Sequence, residues 1–448
     1  MTLKLLWVTP ITSLALPTSL ISIQSLWNNE LRLATYQAYI SDEVASEAFE
    51  KFGIKTTYFE NDKEVLSGFR SGTYDLAIIS SSTLEEAISQ NLVKKIDWSQ
   101  FSSIPEKYKS KEQAPHKPFT EDLFDPVINQ LFSKNAKFYE YGIPYFLSYL
   151  TFVYTGEKLK NSETLKWENL LEAIAEDSRF LPNNNTAPKL ALIEDELTIF
   201  YISKLISGDT KKLSEISKND QLNFYSQLSN LVKNNKLGRL GSNSIFLHPN
   251  SSLVSEMMLS GELNGAFMYN GDALYTYRTL KEDVKLQDVD NKFHIFEGTP
   301  SLWLLDNIAI SAKIPQERET KIYEFLNQLL FEGVLSEQGE GRQIDETSWA
   351  WKNFDYLKYT PTLKSLQAKL RDTAKSEQSP TTKLSTQFDA KDIKLLFGNQ
   401  EFDKCQWGEN TDSSEENKTV CQVIFESSLS ASQNLQLALA FQRWKNNL

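Results

Sequence analysis

Apolar residues recur along this chain with two alternating periods. Leu31 and Leu33 open a short run that ends near Tyr36, and Ser41 then stands before Asp42 and Glu43, the pattern of a serine-capped helix whose first-turn acids meet the positive end of its dipole. Val44, Ala48 and Phe52 follow at helical spacing. Gly53 offers a left-handed stop, after which Ile54, Thr56 and Tyr58 alternate as a strand does. A second amphipathic helix, carrying Val65, Leu66 and Phe69, ends near Gly72 and feeds the apolar run Leu76, Ala77, Ile78, Ile79. This β-α-β-α-β rhythm predicts a mostly parallel sheet covered by helices.

The same phrase returns downstream. Ser71-Gly72-Thr73-Tyr74-Asp75-Leu76-Ala77-Ile78-Ile79 matches Ser260-Gly261-Glu262-Leu263-Asn264-Gly265-Ala266-Phe267-Met268: a helix end, a glycine turn, then an apolar strand. Two similar α/β lobes follow from the repeat. Open α/β sheets bind ligands beyond the carboxyl ends of their strands, which draws attention to Ser80, Ser81 and Ser82 in the first lobe and to Tyr269, Asn270 and Asp272 in the second. Serine there also suits the cap of a helix beginning near Leu84. From 374 to 418 the chain is polar except for an apolar island at Ile393 to Phe397, and this stretch reads as a surface insertion. Leu435, Leu437, Leu439, Phe441 and Trp444 predict a terminal helix over Asn434 to Leu448.

The N-terminus changes the picture. No charge occurs from Leu5 to Asn29, and the run is apolar, so residues 1–29 read as a signal peptide or membrane anchor and predict export to the outer face of the membrane or the periplasm. Pro10 and Pro17 would kink a spanning helix, and the run has no cysteine to accept a lipid. A buried N-terminal element of an unexported protein is the alternative.

A net charge of -12 and a pI near 5.1 disfavour a phosphate-binding surface and suit a cationic ligand better; no nucleic-acid partner is expected. Cys405 and Cys421 lack metal-ligand spacing and read either as a disulfide or as two separate thiols. His116, His248 and His294 are scattered, so neither a metal nor another cofactor is expected. There is no GxSxG, HExxH or phosphate loop, which leaves an enzyme only a carboxylate pair such as Glu194 and Asp306; the chain reads as a binder rather than an enzyme.

Several stretches then fall into a familiar order. Leu33-Ala34-Thr35-Tyr36-Gln37-Ala38-Tyr39, Gly72-Thr73-Tyr74-Asp75-Leu76, Gly142-Ile143-Pro144-Tyr145, Leu192-Ile193-Glu194-Asp195, Gly265-Ala266-Phe267-Met268-Tyr269-Asn270-Gly271, Trp303-Leu304-Leu305-Asp306-Asn307-Ile308-Ala309-Ile310, Tyr359-Thr360-Pro361 and Phe441-Gln442-Arg443-Trp444 together resemble the spermidine/putrescine-binding proteins of bacterial ABC importers. The resemblance implies a two-lobed periplasmic-binding-protein fold of type II, each lobe a mixed, mostly parallel sheet flanked by helices, with a hinge between. It places one lobe over 30–140 and 306–357, and the other over 141–303 and 358–448. It implies capture of a polyamine or related organic cation, delivery to a permease with its ATPase, and attachment to the membrane through the N-terminal segment. A surface lipoprotein or adhesion module on the same fold, without transport, is the rival reading.

A polyamine needs flat ring faces for its methylenes and carboxylates for its ammonium groups. The resemblance assigns the ring walls to Tyr36 and Tyr39, with Gln37 between them, to Tyr269 in place of a tryptophan, and to Trp303, one position from the family's ring. Ser80 and Ser82 lie where a family serine contacts ligand. Asp195, with Glu194 beside it, takes the position of an ammonium-pairing acid, while Thr198 stands where a second carboxylate is expected; Glu194 or Glu196 is the candidate replacement. Asp306 is an acid inside an apolar run and so needs a partner, either a ligand ammonium or a group of the protein. Tyr359 and Gln442 complete the set.

Overall fold

The computed structural model describes residues 30–59, 62–111, 118–134, 137–182, 188–209, 216, 218–241, 244–282, 288–335, 344–375, 388–398, 405–406, 419–420, 423–425 and 431–448. The expected export segment 1–29, Cys421 and hence its pairing with Cys405, and most of the expected insertion 374–418 lie outside these residues.

The chain opens with β1 (Leu31–Thr35), α1 (Asp42–Phe52), β2 (Ile54–Tyr58), α2 (Asp62–Ser71), β3 (Leu76–Ser80) and α3 (Ser81–Ser89). Ser41 caps α1 by accepting from the Val44 N–H at 3.1 Å, and α3 starts three residues earlier than the apolar pattern suggests because Ser80 caps it. After the long β4 (Ile143–Thr155) come α4 (Trp167–Ala175), β5 (Leu190–Ile193), α5 (Glu196–Ser207), α6 (Lys218–Asn234), β6 (Ile245–His248), α7 (Ser251–Leu259), β7 (Gly265–Tyr269) and α8 (Asn270–Glu282). The chain continues through β8 (Phe293–Phe296), β9 (Ser301–Ile310), α9 (Gln316–Leu330), α10 (Trp349–Leu357) and β10 (Thr360–Pro361), and ends, among the longer elements, on α11 (Ala431–Lys445).

The main path of the sheet runs β2-β1-β3-β9-β4-β7-β5-β6. Strands β2, β1 and β3 are parallel, as are β6, β5 and β7, and the two triplets flank the antiparallel pair β9 and β4. The repeated phrase in the sequence leads into β3 and β7, which occupy equivalent places in their triplets. Gly72 and Gly261, at φ 76° and 75°, make the matching left-handed turns before them. Along β4, Ile143 to Tyr149 pair with β9 and Leu150 to Tyr154 pair with β7, so one strand serves both halves.

Each half buries its sheet under helices. Leu76, Ala77, Ile78 and Ile79 are wholly inaccessible, as befits a strand covered on both faces. In the second half α11 docks through Leu437, Phe441 and Trp444, the last stacked on Tyr225 at 5.5 Å, while Leu435 and Leu439 face solvent. The apolar island near 393–397 is a helix that buries Leu395, Leu396 and Phe397.

Candidate functional site

Strand ends from both triplets converge at the seam between the halves. After β1, Ala38 takes a left-handed conformation (φ 56°), which turns the chain so that Tyr36 and Tyr39 meet edge to face at 5.4 Å. The Tyr36 hydroxyl donates to Asp62, the first residue of α2, and the Tyr39 hydroxyl donates to Asp306 in the middle of β9. Ser80 donates to Asp62 at 2.6 Å, Thr83 donates to the same oxygen, and Ser82 lies 3.0 Å from the Ser80 hydroxyl.

The second half answers with its own strand ends. Asp195 caps α5, accepting from the Thr198 N–H at 2.7 Å and its hydroxyl at 2.8 Å, and the Thr198 hydroxyl also lies 2.6 Å from that of Tyr269. At the start of α8, Asp272 accepts from Tyr359 at 2.9 Å and Ser251 at 3.0 Å. A side chain on Gly271 would collide with the Tyr359 ring at 2.5 Å, so glycine is what lets this ring lie over the helix start, 5.2 Å from Tyr39. Asn250 donates to Gln37 at 3.2 Å, and Lys63 pairs with Glu196 at 3.0 Å; both contacts tie one half to the other.

The electrostatics of this cluster are those of acids without cations. Asp306 is pushed up to about 7 by burial, opposed by the Tyr39 hydrogen bond and reinforced by the charge of Asp62. Burial likewise raises Asp272 to about 6 against the bonds from Tyr359 and Ser251. Asp195 is raised, chiefly because protein crowds it, with Thr198 opposing and Asp62 adding to the rise. Yet Asp195 is exposed. Asp195 therefore has many protein atoms around it while its side chain still reaches solvent. Among the described residues, none of Asp62, Asp195, Asp272 and Asp306 is ion-paired with a lysine or arginine, and no group of three or more acids, histidines or cysteines could hold a metal ion. Burial holds the Tyr39 and Tyr359 hydroxyls well above the ordinary tyrosine range, so they remain donors.

Three of the expected residues lie elsewhere. Trp303 and Asp306 differ by an odd number of positions on β9 and so point to opposite faces: Trp303 is wholly buried, 4.8 Å from the Tyr149 ring, while Leu304 shares the face of Asp306. Glu194 is engaged by Lys445 of α11. Gln442 is exposed on α11, on the helix that packs against α6. In their place the structure brings in Asp62, Thr83, Asp272 and Ser251. Asp272 stood among the strand-end residues, whereas Asp62 reads from sequence as an ordinary first-turn acid.

A family model described as hypothetical lipoprotein (MG045 family) matches residues 2–428. The chain belongs to that family. No curated protein matches it. Among solved structures, this family member is similar to a spermidine/putrescine ABC transporter protein from Listeria monocytogenes, with a TM-score of 0.58 and 15% identity over 94% of this chain and 100% of that one. It is similar also to PotD from Streptococcus pneumoniae, with a TM-score of 0.52 and 15% identity over 93% and 99% of the two chains. The TpPotD lipoprotein of Treponema pallidum gives a TM-score of 0.54 and 11% identity over 92% and 98%. The fold of the family member is therefore the two-lobed one of ABC-importer solute-binding proteins, as the ordered motifs led us to expect. Among its described residues no helix is long and apolar enough to cross a membrane.

Proposed function

We propose that this protein is the extracytoplasmic substrate-binding subunit of an ABC importer and that it captures a polyamine or a closely related organic cation. The observation that carries this reading is the cluster of acids at the seam, where Asp62, Asp195, Asp272 and Asp306 accept hydrogen bonds from hydroxyls and, among the described residues, pair with no lysine or arginine. Carboxylates of like charge gathered at one place are costly until a cation joins them. A chain of methylenes between ammonium groups supplies that cation, and Tyr36, Tyr39, Tyr269 and Tyr359 supply flat faces for the methylenes.

Capture proceeds by closure. The ligand meets the acids in the open form, the halves rotate about the crossing strands β4 and β9, and the closed form presents itself to a permease and its ATPase. The apolar stretch 1–29, as a signal peptide or membrane anchor, takes the subunit to the outer face of the membrane. No covalent chemistry enters. Titration calorimetry with spermidine, putrescine and choline tests the reading: saturable binding of at least one is expected, and silence towards all three rejects an amine ligand.

A further inference from the structure

Two dipeptides face one another across the seam. Asp62-Lys63 opens α2 on one side, and Asp195-Glu196 caps and opens α5 on the other. Their outer members attract: Lys63 Nζ lies 3.0 and 3.1 Å from the two Glu196 carboxylate oxygens, with Lys63 more than half exposed and Glu196 mostly covered. Their inner members repel. Asp62 is covered by the hydroxyls of Tyr36, Ser80 and Thr83, and Asp195 by the N–H and hydroxyl of Thr198, so each acid is solvated by its own half and neither is neutralised by the other. The charge of Asp62 is felt at Asp195 and at Asp306, so the three share one field.

Resting on the reading of the acid cluster as a cation site, we infer that Asp62 and Asp195 form a single ammonium subsite shared between the halves, and that Lys63 with Glu196 is the latch that shuts over it. The empty protein brings like charges together on closing, which opposes the latch. An ammonium group placed between the two acids reverses that sign, and its N–H donors reach carboxylates on both sides at once. The ligand thereby binds the closed form better than the open one, which is the differential affinity that closure by a ligand requires. Thr198 leaves α5 without an acid in its first turn at that position; Asp62, contributed from the opposite half, supplies the second carboxylate. The subsite therefore selects ligands with N–H donors: a primary ammonium gains from both acids, whereas a quaternary ammonium offers no hydrogen to either.

The experiment uses the whole chain carrying one fluorophore on each half, and the variants Asp62→Asn and Asp195→Asn. Without ligand, each variant is expected to shift the inter-label distance towards the closed value, because the repulsion is gone. With putrescine, each is expected to lose at least about tenfold in affinity, and the double variant to lose less than the product of the two, because both acids serve one ammonium. An unchanged distance in the empty variants, or a double variant whose loss is the full product, overturns the shared subsite. Should the wild-type chain bind no amine, the proposed function fails while the distance measurement on the empty chain still decides whether Asp62 and Asp195 repel. If Asp62→Asn does not fold, Asp195→Asn with Lys63→Ala gives the same reading: the first is expected to favour the closed distance and the second the open one, and the reverse order overturns the latch.

Discussion

The turn after β3 and the turn after β5 are built alike and carry different charge. Ser80 accepts from the Thr83 N–H at 3.2 Å, and Asp195 accepts from the Thr198 N–H at 2.7 Å, so in each half a polar residue at or just past the strand end caps a helix three positions before a threonine. In the second half the cap is itself the acid. In the first half the cap is neutral, and the acid arrives from a neighbouring helix as Asp62, which Ser80 and Thr83 then hold. The same local geometry thus serves helix capping in one place and, in our reading, ligand capture in the other. Capping and capture can be separated by substitution.

The largest effect is expected from Asp195→Asn. Asparagine caps a helix about as well as aspartate, so thermal stability should hold while polyamine affinity falls by at least about tenfold, and calorimetry beside thermal unfolding reads both. Equal losses in the two would mean that Asp195 is a cap and nothing more. Asp306→Asn should cost a comparable amount of affinity.

The pH dependence comes next. Asp306 near 7 and Asp272 near 6 both lie above the roughly 3.9 of an unfolded aspartate, so between these values the folded chain holds protons that the unfolded chain has released. Their contribution to the stability of the empty protein is therefore full below about pH 4 and is lost as pH rises through 7. Denaturation at pH 5 and pH 8 should show that Asp306→Asn removes much of this fall; an equal pH slope in the variant contradicts the assignment. Because a cationic ligand prefers the ionised acids, polyamine affinity should climb from pH 5.5 to 8.

Ser80→Ala should behave oppositely to Asp195→Asn, costing about 1 kcal/mol of stability through the lost cap and a smaller share of affinity. Smallest of all is Gln442→Ala, which should leave affinity unchanged in calorimetry, since its helix packs against α6 rather than at the seam.

Much of the first half was legible because its signals are local. Ser41, Gly53 and the spacing of Val44, Ala48 and Phe52 specify α1 within a dozen residues, and the repeated phrase marked two strands that prove equivalent in the sheet. The pairing of β9 with both β3 and β4 was not legible, because it joins residues more than a hundred and fifty positions apart. The site divides in the same way. Tyr269 stands at a strand end and Asp306 inside an apolar run, while Tyr36, Tyr39 and Asp195 were marked by the family resemblance. Asp62 carries no such mark, since an acid at a helix start has an ordinary explanation in the dipole, and only the fold brings Tyr36, Ser80 and Thr83 to it. For Trp303 the parity of a strand was the available clue: an odd separation from Asp306 already sends it to the opposite face.

The crossing of β4 from one triplet to the other bears on how the molecule comes apart. Any cut that assigned Ile143 to Tyr149 to one fragment and Leu150 to Tyr154 to another would sever a ladder midway and strip pairing from both pieces. Heating should accordingly melt the two halves in a single calorimetric transition, with neither surviving as a protease-resistant remnant of the other.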